Sequence, residues 1–172
     1  YLDSLGHGRA VVGLLWAVSA GLEVAFFWWQ GRLFPRLSAH AWLQWAAALA
    51  VLRFAATAAF GGHVLVLVAV QALHAVTFAA QHAACIALIS RHFPGALRGR
   101  GQALYSVLGY GSSGVVGGVA GGWLSSHFGF AAVFWAAGGA AAVAANRDLL
   151  SATCPLFTPH DWLELQGPRR PQ

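Results

Sequence analysis

Long apolar runs, separated by short polar or glycine-containing joints, fill the chain up to residue 145. A helix that crosses a bilayer needs roughly 20 mostly apolar residues, and five runs reach or approach that length. The pattern therefore predicts an all-α membrane protein with five transmembrane helices. Their predicted bounds are residues 10–29, 41–60, 63–90, 103–125 and 130–145.

The joints between these runs carry residues that end helices. Prolines lie in the first and third joints, at Pro35 and Pro94, and glycines form the other two joints, at 61–62 and 129. The apolar pattern stops after residue 145, and residues 146–172 contain four prolines. We interpret this last segment as a disordered tail or as aberrant sequence from a shifted reading frame.

The composition excludes most soluble folds. Hydrophobic residues make up 58% of the chain and charged residues only 9%, against about 25% charged residues in an ordinary soluble domain. The net charge of +5 could suggest a nucleic-acid partner, but the basic residues stand in the short joints. That distribution is typical of a membrane topology signal, so we expect membrane lipid and no nucleic acid as a partner.

Arginine counts in the joints predict the orientation. Short cytoplasmic loops carry an excess of basic residues. We therefore expect the first and third joints and the C-terminus on the cytoplasmic side of a bacterial inner membrane, and residues 1–9 in an extracytoplasmic loop. An odd number of helices and a start at Tyr1 also predict that upstream helices are missing. The arginines concerned are Arg32, Arg36, Arg91, Arg98, Arg100 and Arg147.

Motifs of soluble enzymes do not occur in the sequence. It contains no P-loop, no GxSxG and no HExxH. The two cysteines, Cys85 and Cys154, have neither metal-ligand spacing nor support for a disulfide. We therefore expect a protein that is not an enzyme and that holds no cofactor and no metal.

Two charged residues lie inside predicted spans. Glu23 is in the first span and Arg53 in the second. An ionisable group in a bilayer costs about 2.5–3.5 kcal/mol, so it usually faces a cavity or a partner. Glu23 is a candidate proton or substrate site, or it pairs with Arg32 near the interface. Arg53 is a candidate counter-ion to Glu23 or to a carboxylate substrate, or it extends to the lipid headgroups.

One face of the third span carries a polar and aromatic stripe within roughly 80° of the helix circumference. Its residues are Gln71, His74, Phe78, His82 and Cys85. Lipid cannot satisfy such side chains, so the stripe should face protein or water. It either lines a transport pathway, with His74 as proton acceptor or substrate ligand and Gln71 and His82 beside it, or only holds the bundle together by hydrogen bonds.

The fourth span is rich in glycine. Small residues at four-residue spacing let helices approach closely, so we predict helix packing at these positions. They are Gly114, Gly117, Gly118, Gly121 and Gly122. Near the start of this span, Tyr105 and Tyr110 are candidates for core or interface positions, and Tyr110 could stack on an aromatic substrate.

Four segments, taken in order, resemble one class of transporter. They are GLLWAVSAGLEVAFF at 13–27, VLRFAATA at 51–58, QALHAVTFAAQHAA at 71–84 and RGQALYSVLGYG at 100–111. Together they are similar to the C-terminal half of a major facilitator superfamily transporter, in particular to the 3-phenylpropionate permease-like group related to sugar and nucleoside proton symporters. The resemblance covers residues 1–145. It implies a truncated twelve-helix fold in which the five spans are helices 8 to 12.

The resemblance also implies a function. It implies alternating-access transport of a proton with a small organic solute, an aromatic acid or a nucleoside-like compound, together with a missing N-terminal half. In related sugar–proton symporters an acid on helix 8, an arginine on helix 9 and a histidine on helix 10 form a charged network. Glu23, Arg53 and His74 lie on those helices here. Those symporters carry a second acid one turn after the histidine, where this chain has Thr77, which argues against proton coupling through this network.

Two other functions remain open at this stage. His74 and His82 could ligate a haem in a membrane electron carrier, although the remaining histidines of the spans lie at helix ends. The chain could also be a structural or assembly protein with no substrate. Buried Glu23 and Arg53 argue against that function, because a purely structural bundle gains little from them.

Overall fold

A computed structural model describes residues 1–146, and their regular structure is entirely helical. The tail predicted after residue 145 lies, from Arg147 onward, outside the described residues. A π-helical segment, Ser106–Ser112, joins α4 to α5 without a break, so the described chain forms five helical rods. The α-helices are α1 (Arg9–Leu33), α2 (Ala39–Phe60), α3 (Val64–His92), α4 (Arg98–Tyr105), α5 (Ser113–Phe128) and α6 (Phe130–Ala145).

Within residues 1–146, three helices are long and apolar enough to cross a membrane: α1 with the turn that follows it, α2 and α3. The helix α6 is apolar but shorter. The rod from α4 through α5 covers the fourth predicted span. Large apolar side chains, such as those of Trp16, Trp28 and Leu65, are exposed on the outer surface, where lipid would contact them. The chain is therefore an all-α integral membrane protein, as the sequence predicted.

The helix α3 occupies the centre of the bundle. It packs between α1 and α2, while α2 also packs against α6, and α6 against α5. The packed faces of α3 carry small residues, Ala75, Ala79, Ala80 and Ala84, which are almost completely buried. Small side chains allow close approach of helix backbones. Polar residues on α3 are consequently held between two neighbouring helices.

Two glycines fix the course of the last helices. Gly129 is the single residue between α5 and α6, and its φ of +81° is one that L side chains rarely adopt. Gly101 on α4 lies against the end of α3, where a Cβ atom would stand 2.7 Å from Phe93 Cγ. Close contact at Gly101 therefore docks the start of the α4–α5 rod onto α3.

The N-terminal segment, residues 1–8, lies over one end of the bundle. The Tyr1 hydroxyl donates to the Thr57 carbonyl oxygen at 3.2 Å, and the Tyr1 ring packs against Phe134 with centroids 5.0 Å apart. His7 Nε2 is hydrogen-bonded to the Gly61 carbonyl oxygen at 2.8 Å. The segment thus joins the ends of α2 and α6, at the end opposite the arginine-bearing joints. Which end faces the cytoplasm stays a prediction.

Candidate functional site

Three polar side chains from three helices meet inside the bundle. His74 of α3 lies between Glu23 of α1 and Arg53 of α2. His74 Nε2 is 3.4 Å from Glu23 Oε1, and Arg53 Nη1 is 3.0 Å from His74 Nδ1. We call Glu23, His74 and Arg53 the polar relay. The structure brings together the three residues that the sequence analysis singled out from separate spans.

The contacts define where the proton of His74 lies. A guanidinium can only donate hydrogen bonds, so Arg53 requires His74 Nδ1 to accept. The hydrogen of a neutral imidazole then sits on Nε2, which faces the Glu23 carboxylate. A second proton on Nδ1 would place two donors against each other. His74 can therefore become positively charged only if Arg53 moves away from it.

Other groups hold the relay in place. Buried Ser19, one turn before Glu23, donates to Glu23 Oε1 at 3.3 Å. The Arg53 guanidinium lies over the Phe54 ring, with Cζ 4.2 Å from the centroid, a favourable cation–π geometry. The side chains of His74 and Glu23 are 31% and 23% exposed, so the relay is held by its neighbours without being fully buried.

Thr77 takes no part in the relay. Its hydroxyl donates to the His74 carbonyl oxygen at 3.1 Å, within the same helix, and the residue is buried. At the position where related symporters carry a second acid, this chain therefore has a hydroxyl that is hydrogen-bonded to the backbone. The carboxylate partner of His74 comes instead from Glu23 on a neighbouring helix.

A second group of side chains lies further along the same face of α3. Phe78 stacks on His74 with centroids 5.7 Å apart and on His82 with centroids 6.3 Å apart. The hydroxyl of Tyr110 is hydrogen-bonded to His82 Nδ1 at 2.9 Å and to the hydroxyl of Tyr105 at 3.1 Å. Phe27 of α1 meets His82 edge to face. We call Phe27, Phe78, His82, Tyr105 and Tyr110 the aromatic cluster.

The π-helical segment makes the aromatic cluster possible. Residues five apart on an α-helix point about 140° away from each other. The wider π turn, with its i→i+5 hydrogen bonds, brings such residues back to nearly the same face. Tyr105 and Tyr110 are five apart; Tyr105 directly precedes the segment Ser106–Ser112, and Tyr110 lies within it. Sequence periodicity did not reveal this pairing.

A local signal for the π-helical segment does exist in the sequence. Gly109 and Gly111 flank Tyr110, and two serines follow. The hydroxyls of Ser112 and Ser113 donate to the carbonyl oxygens of Leu108 and Gly109. Such back-bonding to a carbonyl four residues earlier bends helices. A glycine–tyrosine–glycine–serine–serine run inside a membrane helix could therefore have indicated an irregular turn.

Gln71, the first residue of the predicted stripe, is separate from both groups. It lines a cavity of about 380 Å³ on the side of Arg53 that faces the N-terminal segment. Its amide makes no side-chain hydrogen bond to another described residue. Cys85, the last residue of the stripe, is half-buried. The predicted stripe is thus divided between a cavity, the relay and the aromatic cluster.

The glycines of α5 have few neighbours. A Cβ atom at Gly114, Gly117, Gly118 or Gly122 would meet nothing within 4 Å among the described residues. At Gly121 it would lie 3.6 Å from Val133 Cγ1 of α6. Only Gly121 therefore faces a described helix, and packing of the others against a helix stays a prediction.

The fold and the relay define a helical membrane protein that carries paired charges inside its bundle. The family model described as the MFS_1 like family matches residues 1–136, which is most of the chain, and the chain belongs to this family. The predicted membership of the major facilitator superfamily is confirmed, while the 3-phenylpropionate group and the C-terminal half stay predictions. Neither the curated proteins nor the solved structures that were compared give a match.

Proposed function

We propose that the chain is the C-terminal half, helices 8 to 12, of a proton-coupled secondary transporter for a small organic solute. The observation that carries the proposal is the polar relay, which pairs a carboxylate, an imidazole and a guanidinium from three membrane helices. Membership of a superfamily of transporters supports it. An intramembrane cluster of this kind is costly and marks ion or substrate pathways in membrane proteins.

An open side of the bundle supports a second half. Phe78 and Tyr110 are 36% and 44% exposed, although both belong to the aromatic cluster. The glycine face of α5 is also uncovered among the described residues. Major facilitator transporters consist of two helix bundles with the site between them near the bilayer midplane. The N-terminal half would cover this open side, and alternating access would come from one half rocking against the other.

The relay suggests how a proton could be carried. Neutral His74 accepts a proton on Nδ1 once Arg53 has moved away, and the resulting imidazolium keeps its bond to Glu23. When Arg53 returns, it displaces the proton, because its own donors need the same nitrogen. If His74 is open to opposite sides of the membrane in these two states, the cycle moves one proton across. No second acid on α3 is needed, since Glu23 supplies the negative charge.

The stacked rings support a planar solute. His74, Phe78 and His82 present nearly parallel rings along α3, and their faces suit aromatic contacts. An aromatic acid or a nucleoside-like compound fits this surface. The proposed location is the bacterial inner membrane, with the arginine-bearing joints and the C-terminus on the cytoplasmic side.

The haem and structural alternatives use the same residues differently. A haem iron on His74 would have to displace Arg53 or Glu23, because both ring nitrogens are engaged. His82 Nδ1 is engaged by Tyr110. Purified protein with a Soret absorption band would favour the haem function. A structural protein would show no uptake of any solute, with or without neutral replacement of the relay.

Replacement of Glu23 tests the proposal. In the full-length gene product, Glu23→Gln should abolish uptake driven by a pH gradient and leave counterflow largely intact. Glutamine keeps the shape and one hydrogen bond but cannot balance a protonated His74. Asp3→Asn, which removes an acid outside the relay, is the matched control and should retain driven uptake. Normal pH-driven uptake by Glu23→Gln, at equal expression, would remove the relay from the mechanism.

A further inference from the structure

The Arg53 side chain lies over the ring of the next residue, Phe54. Its Cζ is 4.2 Å from the ring centroid, although consecutive residues on an α-helix point about 100° apart and do not normally face each other. The Arg53 side chain therefore turns towards its neighbour instead of extending along α2. Since Arg53 is one of the three members of the polar relay, the contact that holds it in this position bears on the relay.

Hydrogen bonds alone do not fix the Arg53 guanidinium. Among the described residues, its Nη1 is bonded to His74 Nδ1 at 3.0 Å, while its Nε is buried without a hydrogen-bond partner. A single hydrogen bond leaves a planar group free to swing about that bond. The ring face of Phe54 supplies a second contact, and a cation that is removed from water gains most from such a face.

The position of the Phe54 ring depends in turn on α6. Gly138 of α6 is buried, and a Cβ atom there would lie 3.6 Å from Phe54 Cβ and 4.0 Å from the Val51 carbonyl oxygen. The backbone of α6 thus passes directly beside the base of the Phe54 side chain. A glycine keeps this approach close, whereas a long side chain at Gly138 would need space that Phe54 occupies.

We propose that Phe54 is a positioning residue, which holds Arg53 on His74, and that α6 sets the position of Phe54 through Gly138. This inference rests on the proposed function and extends it to a fourth helix. In the proposed cycle, Arg53 has to leave His74 Nδ1 and return to it. A shift of α6 against α2 moves the ring that holds the guanidinium, and thereby controls when Arg53 is released.

The same contacts join the α4–α5 rod to the relay. A Cβ atom at Gly121 of α5 would lie 3.6 Å from Val133 Cγ1 of α6, and α6 packs along α2. Val133 and Gly138 are about one and a half turns apart on α6. A displacement of the rod would therefore pass through α6 to Phe54 and Arg53.

The protonation of His74 reports whether Arg53 is in place. The charged groups that face His74 are Glu23 from α1 and Arg53 from α2, and a second proton can enter only on Nδ1, where Arg53 is bound. Nitrogen NMR on the purified full-length protein with isotope-labelled histidine distinguishes a bare Nδ1 from a protonated one. The variant His74→Gln identifies the signals of His74 by their loss.

Loss of the ring face should release Arg53. At a fixed pH, Phe54→Leu should raise the ratio of doubly protonated to neutral His74 about tenfold, as expected for a desolvated cation–π contact. Phe54→Tyr keeps the ring face and should match the wild type. Gly138→Leu, which displaces the ring, should act like Phe54→Leu. Gly139→Leu, next to it on α6 with nothing within 4 Å, is the matched control and should leave the ratio unchanged.

Transport separates this inference from the proposed function. With benzoate and uridine as probe solutes, Phe54→Leu should slow pH-driven uptake, because Nδ1 keeps its proton while Arg53 is released, and should leave counterflow near the wild-type rate. The expected changes at His74, without pH-driven uptake of either probe by the wild type, would argue against the function and retain the positioning role.

Two outcomes of the NMR measurement would overturn the inference. Equal His74 signals in Phe54→Leu and Phe54→Tyr would show that the ring face does not hold Arg53. Equal His74 signals in Gly138→Leu and Gly139→Leu would show that α6 does not set the position of Phe54. Leucine fits the space of the Phe54 ring, so the first comparison stands even where Gly138→Leu does not fold. In that case Gly138→Val and Gly139→Val replace the second pair.

Discussion

The helices α3 and α5 are both rich in small residues, yet they use them in opposite ways. The alanines of α3 are covered by α1 and α2, whereas most glycines of α5 meet no neighbour among the described residues. An alanine methyl fills the space between two helices, while a glycine leaves space beside the helix backbone. The completed interface of α3 is also where the polar relay lies.

From that difference we infer that α1, α2 and α3 form a rigid frame, and that the α4–α5 rod can move relative to this frame. The relay needs fixed distances between three helices, and the buried alanine faces of α3 supply them. The α4–α5 rod is attached to the rest by a close contact at Gly101, by the packing of α5 on α6, by the turn at Gly129 and by the tyrosine hydroxyls at His82. Few contacts of this kind permit a rod to shift while the frame keeps its shape.

A larger side chain on the buried face of α3 should have the largest effect on stability. Ala79 is completely buried, so Ala79→Leu should force α3 away from its neighbours and destabilise the protein by about 1–3 kcal/mol. Gly118→Leu on α5 should change stability by less than about 0.5 kcal/mol, because its surroundings are open. Thermal unfolding of both variants in detergent measures the contrast. Equal losses would mean that the two helices do not differ in this way.

A substitution at Gly101, where the rod docks onto α3, should have a smaller effect on stability. A methyl group at Gly101 would collide with the Phe93 ring and would lie 3.0 Å from Ile89 Cγ2. We expect Gly101→Ala to lower stability by about 1 kcal/mol as the rod is displaced. Gly99→Ala, two residues earlier with nothing within 4 Å, should be neutral or slightly stabilising because alanine favours helix. The difference in melting temperature between the two variants checks this, and a Gly99→Ala variant that is the less stable of the two would contradict it.

Removal of the Tyr110 hydroxyl should have the smallest effect on stability. Tyr110→Phe keeps the ring and removes the hydrogen bonds to His82 and Tyr105. Hydrogen bonds between membrane helices contribute about 0.6 kcal/mol on average, so we expect a loss near that value. Thermal unfolding of Tyr110→Phe beside Tyr105→Phe measures it. A loss as large as that of Ala79→Leu would show that the rod belongs to the rigid frame.

Much of this architecture follows from run length and charge placement. The apolar runs predicted the helical membrane class because a bilayer demands a fixed length of apolar helix. The need of charged groups in lipid for partners made Glu23 and Arg53 candidates, and the resemblance to sugar–proton symporters implied their network with His74. The assignment of Gln71 to the same site as His82 could not be checked from periodicity, since helix-wheel angles do not show which neighbour covers each turn. The pairing of Tyr105 with Tyr110 was not predicted, because a helical wheel assumes regular α-helical turns.

The π-helical segment also has a consequence for comparison among relatives. A π turn holds one residue more than the α turn it replaces, so it is equivalent to the insertion of a single residue into an older, regular helix. Relatives that lack one residue between the positions of Ser106 and Ser112 should have a continuous α-helix there. In those relatives, the residue equivalent to Tyr110 would point away from the residue equivalent to His82. Selection would then have no reason to keep a tyrosine hydroxyl there. Chain length in this short stretch, counted in a family alignment, should therefore vary together with the presence of the Tyr105–Tyr110–His82 group.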